Sequence, residues 1–193
     1  MEKLEKHEQL TARILVHVAR HGFADVQRFA HLAKGVGIGR SLLYFYFKSS
    51  EEVIEALCAH FHQELNDFHE QIQARGLDFY EYVVALPEIK DLVFFAHECH
   101  KEALRNPALM APILLVAETV DHYSFERFKV FYELTDHDPA EVEFLYSCLR
   151  SKWWENLGSY EEWGRHEVEE FFSSVDTLTR TFQRGCSRPQ PSA

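Results

Sequence analysis

The stretch from Leu32 to Lys48 constrains the fold most. Leu32 and Ala33 close an apolar-spaced segment, Gly35, Gly37 and Gly39 alternate with single residues, and Arg40 to Tyr46 follow without a breaker before Phe47-Lys48-Ser49. Alternating glycines interrupt a helix, because each costs backbone entropy there and readily takes the positive φ of a tight turn. The pattern predicts a short helix over about 25–34, a turn, and a second short helix from near Gly39 to Tyr46. Asp25 is placed to cap the first of these.

The flanking segments read as helix throughout. Leu10, Ile14, Leu15 and Val18 share a helical spacing over about 4–19, and Gly22 ends that helix. Ser49-x-x-Glu52 has the capping-box pattern, and Ile54, Leu57, Phe61, Leu65, Phe68 and Ile72 recur every three or four residues, so one long helix should run to Gly76. Further helices are expected over about 77–86, from Pro87 to about Leu104, from Pro112 to about Leu134, from Pro139 behind an Asp138 cap to near Gly158, and from Glu161 to Arg184. The expected class is all-α, with about nine helices. A three-helix helix-turn-helix domain over 1–50 is joined by the long helix to a helical domain over 51–185, and 186–193 form a disordered tail.

Two short helices around a glycine turn form the unit that presents a recognition helix to the major groove of DNA. A net charge of -11 argues against nucleic acid until it is divided by segment. Residues 1–50 hold eight Lys or Arg against four Asp or Glu, a net of +4, leaving -15 on the remainder. A basic module on an acidic body restricts which face can approach phosphates. No apolar run is long enough for a membrane span and the N-terminus lacks a signal-peptide pattern, so a cytoplasmic protein is expected. Cys58, Cys99, Cys148 and Cys186 lack CxxC spacing and read as reduced thiols.

Residues 5–64 resemble the DNA-binding domain of the TetR family of bacterial transcriptional regulators. The resemblance is carried in order by Ile14-Leu15, Gly22-Phe23, Leu32-Ala33, Gly37-Ile38, Arg40, Leu43-Tyr44, Tyr46-Phe47-Lys48-Ser49 and Glu51-Glu52. The chain departs from the family pattern at Gly39, Leu42, Phe45 and Ser50, where polar or basic residues are usual, and this leaves few polar groups for reading bases. The DNA-contacting set is then Arg40, Ser41, Leu42, Tyr44, Phe45, Tyr46 and Lys48. Arg40 suits a guanine contact or a phosphate clamp, Ser41 and Tyr44 base edges or phosphate, and Leu42 a thymine methyl group. Tyr46 and Lys48 suit backbone phosphates. Tyr44 and Tyr46 can equally be packing aromatics.

One recognition helix reads few bases, so a homodimer on double-stranded operator DNA is expected. Two stripes in the last two helices are the candidates for its interface: Phe144, Leu145, Cys148 and Leu149, and Val168, Phe171, Phe172, Val175, Leu178 and Phe182. Both can instead close the subunit's own core. The resemblance implies a repressor released by a small-molecule effector bound in the helical body. Candidate pocket residues are Phe61, Leu65, Phe68, Leu92, Phe95, Ala96, Cys99, His100, Val120, Tyr123 and Tyr146, an aromatic set that suits an apolar or aromatic effector. His100 continues the row Ile89, Val93, Ala96 and Ala103, where a polar group would need a partner.

Two rival readings come from the side-chain inventory. Cys58, His62 and His69 share one side of the long helix, and His97-Glu98-Cys99-His100 is dense in ligand types, so a metal-responsive regulator is an alternative. The paired Glu-x-x-His motifs of a helical-bundle oxidase are missing, as are a nucleophile elbow, a phosphate-binding glycine loop and a dinucleotide fingerprint. No enzyme activity, resident metal or cofactor is therefore expected.

Overall fold

The computed structural model describes the backbone of residues 2–105 and 110–186, and the side chains of these except 2, 3, 104, 110–114, 116–121, 185 and 186. Among the described residues there are nine α-helices and no strand: α1 (Glu2–His21), α2 (Phe29–Gly35), α3 (Arg40–Tyr46), α4 (Ser50–Ala74), α5 (Phe79–Ala85), α6 (Lys90–Arg105), α7 (Met110–Phe131), α8 (Pro139–Asn156) and α9 (Arg165–Cys186). No helix among them is long and apolar enough to cross a membrane. Asn106-Pro107 and residues 187–193 of the expected tail lie outside the described residues, whereas Cys186 ends α9.

Several boundaries differ from expectation for identifiable reasons. Asp25 does not cap α2: it ends a 3-10 turn over Phe23–Asp25, and its carboxylate faces His17 Nε2 at 3.2 Å and His31 Nδ1 at 3.9 Å. Helix α2 begins later, behind Arg28, with no side-chain cap. Pro87 sits in a second 3-10 turn, Leu86–Ile89, ahead of α6. Helix α7 stops at Phe131 because Glu133 takes a positive φ of 53° and the Leu134 N–H turns back to the Lys129 carbonyl at 2.9 Å, the helix-ending pattern of a left-handed residue.

Other starts follow the capping chemistry. Ser49 Oγ accepts the Glu52 N–H at 3.3 Å, but the Glu52 carboxylate takes the Lys48 N–H at 2.6 Å rather than that of Ser49. Asp78 and Glu81 form a complete capping box at α5, and Asp138 accepts the Ala140 and Glu141 N–H groups ahead of Pro139 at α8.

The chain divides into two compact units, Met1–Arg75 with Ile89–Asp121, and Gly76–Glu88 with His122–Ala193. In the first, α1 packs on α6 and α4, and α2 packs on α3. Its core includes Ile14, Val18, Leu32, Leu43, Phe47, Leu57 and Phe61. Phe95 of α6 joins Phe61 of α4 and Phe23, with ring centroids 5.5 and 5.9 Å away. In the second unit α9 packs on α5 and α8. Phe79 is central there, within 5.7–6.2 Å of the rings of Phe128, Phe131, Tyr132 and Phe172. Arg127 donates to the Leu77 carbonyl at 2.5 Å and to Tyr123 Oη at 2.6 Å, tying α7 to the segment ahead of the Asp78 cap of α5.

Candidate nucleic-acid interface

Helix α3 is presented by a turn in which each glycine has a different task. Gly37 has φ 68°, a left-handed conformation that L side chains rarely adopt. Gly35 lies against the His17 ring, so that a Cβ there would overlap the imidazole. Gly39 has an ordinary extended conformation and open space around it, and serves as the residue ahead of α3. Arg13 of α1 donates to the Val36 carbonyl and fixes the turn from below. The Ile38 N–H closes the end of α2 on the Ala33 carbonyl at 2.9 Å.

Leu43 and Phe47 point into the core, and this fixes which residues of α3 face out. Arg40, Ser41, Leu42, Tyr44, Phe45 and Lys48 are exposed and Tyr46 is half-buried, so six of the seven candidate DNA contacts are available to a partner. Arg40 lies along its own helix: its Nη2 reaches Tyr44 Oη at 3.2 Å, and its guanidinium sits 5.3 Å from the centre of the Tyr44 ring. Tyr44 also packs on Phe29 of α2 at 5.0 Å. Phe45 meets Tyr46 edge-on at 5.0 Å, and the Tyr46 ring lies tilted 5.8 Å from His7 of α1, so both tyrosines pack while keeping an exposed part. Lys48 and the first turn of α4 carry opposite charges. The Glu51 carboxyl is held below its usual range by a hydrogen bond from its backbone amide and by Ser49, so it stays ionised beside this face.

The other candidate sets fall in separate places. Phe61, Leu65, Phe68, Leu92, Phe95, Ala96 and Cys99 are buried in the first unit, and the side chain of Val120 lies outside the described residues. Tyr123 and Tyr146 belong to the second unit, where Tyr123 meets Tyr82 at 5.5 Å and Tyr146 meets Phe125 at 5.0 Å. His100 does not share the burial of its row: Val93, Ala96 and Ala103 are buried but His100 is exposed, so it needs no buried partner. Of the two dimer stripes, Val168, Phe172 and Val175 are buried within the subunit, Phe171 and Phe182 are half-buried, and Phe144, Cys148 and Leu178 are exposed.

The proposed metal ligands do not converge. No group of three or more His, Cys, Asp or Glu is placed to hold an ion among the described residues. Burial pushes the Cys58 thiol up to about 11 and the His62 imidazole down, while Glu98 is paired with Lys101 at 2.5 Å.

Sequence reasoning missed a polar cleft of about 380 Å³ between the end of α1 and α6, lined by Arg20, His21, Gln27, Glu98, Lys101, Glu102 and Arg105 among others. Its only trace in the sequence is the i, i+3, i+4, i+7 spacing of Glu98, Lys101, Glu102 and Arg105, which puts four charged residues on one face of α6.

No protein-family model matches the chain, and no curated protein sequence matches it. Among solved structures, a protein from Rhodococcus sp. assigned to the TetR-family transcriptional regulators superposes with a TM-score of 0.59. The sequences are 16% identical, and the match covers 90% of this chain and 99% of that one. The all-helical architecture described above is thus the fold of TetR-family regulators.

Proposed function

We propose that the protein is a DNA-binding transcriptional regulator, with residues 1–50 as its DNA-binding module and 51–185 as its effector-binding and dimerisation domain. The observation that carries this reading is the outward face of α3. Behind a positive-φ glycine turn, a short helix buries Leu43 and Phe47 and turns Arg40, Ser41, Leu42, Tyr44, Phe45 and Lys48 outward on a basic segment. That arrangement suits a major groove flanked by phosphates. Arg40, braced by Tyr44, and Lys48 at the helix end suit phosphate contacts, and Tyr46 flanks them.

Pairing is part of the proposal. Phe144 and Leu178 leave apolar surface on α8 and α9 that a second copy would cover, with Cys148 beside Phe144 on α8. Repression relieved by a small apolar or aromatic effector completes the reading. It is supported by the fold's likeness to a regulator and by the many aromatic side chains of the helical body.

Gel shift with Arg40→Ala and Lys48→Ala, on a duplex selected by the wild-type protein from a random pool, tests the reading. Arg40→Ala should weaken binding by about 1–3 kcal/mol, and Lys48→Ala should weaken it across all sequences alike. Wild-type affinity in both variants would overturn the assignment of α3 as the DNA-contacting helix.

A further inference from the structure

We propose that α3 reads the C5 methyl groups of thymines on the major-groove floor through Leu42 and Phe45; the inference rests on the DNA-binding reading above and specifies what that face recognises. Leu42 is 46% exposed and Phe45 55%, and on a helix they stand at i and i+3, side by side. With Ser41 they form the part of α3 opposite the buried Leu43 and Phe47. One hydroxyl is then the only polar side-chain group at the centre of this face.

The cationic groups flank that centre. Arg40 is drawn along the helix to Tyr44, whose ring rests on Phe29 of α2, and Lys48 lies beyond the end of α3. Phe45 is held in place by the edge-on contact with Tyr46, itself against His7. An apolar centre with a cationic rim, on a segment of net charge +4, complements a polyanion that also offers apolar groups. In the major groove the apolar group is the thymine methyl, which alkyl and aromatic side chains contact directly.

The test uses the full chain and a duplex enriched by it from a random pool. That duplex is remade with deoxyuridine for thymidine at the enriched positions, which removes only the C5 methyl groups. Sequencing of the enriched pool should show thymines, and fluorescence anisotropy a Kd that rises roughly fourfold for each contacted methyl removed, the worth of one buried methyl group. A Leu42→Ala, Phe45→Ala double variant should bind the thymine duplex more weakly and respond to the replacement by less than about twofold. Both side chains are exposed, so its thermal melt should match the wild type. An unchanged wild-type Kd on the deoxyuridine duplex overturns the inference while leaving DNA binding intact. So does an equal loss in the double variant, which would assign the effect to DNA shape. Failure to enrich any sequence would instead overturn the DNA-binding reading on which the inference rests.

Discussion

The three glycines from the end of α2 to the start of α3 look alike in sequence and differ in what they tolerate. Alanine at Gly37 would have to hold φ near 68°, and alanine at Gly35 would displace the His17 ring from its contact with Asp25. Each substitution should cost about 1–3 kcal/mol, seen as a thermal midpoint lower by about 2–4 °C per kcal/mol for a chain of this size. Gly39→Ala should stay within about 0.5 kcal/mol of wild type, because the backbone there is ordinary and the space open. The cysteines separate in the same manner. Cys148 is exposed, whereas burial raises the Cys58 thiol to about 11 and lifts that of Cys99 well above its usual value. A raised pKa lowers the thiolate fraction at mildly alkaline pH, and the thiolate is the reacting form. In a Cys186→Ser background made monomeric by Phe144→Glu, folded protein at about pH 8 should therefore show one fast thiol towards a disulfide reagent and two slow ones released by denaturant.

Helix α4 shows how much an element discloses in its sequence. Its six stripe residues, from Ile54 to Ile72, are all buried, because a repeat of three and four admits one apolar face and the helix is long enough to repeat it. Its start was also legible in Ser49, though the reciprocal half of the box goes to Lys48. Ser49→Ala and Asp78→Ala should each cost about 1 kcal/mol in denaturant unfolding, since each removes the acceptor of an otherwise unpaired amide. Outward faces were harder to read. His100 keeps the spacing of Val93, Ala96 and Ala103 yet is exposed, and Leu178 keeps the spacing of Val168 and Val175 yet is exposed while they are buried. Periodicity states which residues share a side of a helix; how far along that side the neighbours extend depends on packing between segments distant in sequence. Asp25 was misread for a related reason: its cap position was inferred from its neighbours, and the competing partner, His17, comes from another helix. The outward set on α3 was legible because Leu43 and Phe47 fix the inward side of so short an element. The cleft beside α6 was not, because the rest of its lining comes from the end of α1 and the turn that follows it, far from α6 in sequence.

At the scale of the whole molecule, the charge division and the apolar surface lead to different expectations. With Phe144 72% and Leu178 53% exposed, Phe144→Glu and Leu178→Glu should move the protein from dimer to monomer in sedimentation velocity at micromolar concentration while leaving its fold intact. A wild-type protein that sediments as a monomer would remove the pairing step. The N-terminal module carries +4 and the rest -15, so DNA affinity should come largely from phosphate contacts made by a small basic face, and should fall steeply with salt. The salt dependence of binding to the selected duplex, measured for wild type and Lys48→Ala, tests the central claim most directly. Binding by α3 predicts that the logarithm of the association constant falls linearly with that of salt, with a slope shallower by about one in the variant. The same slope and affinity in both proteins, or no binding at low salt, would contradict it.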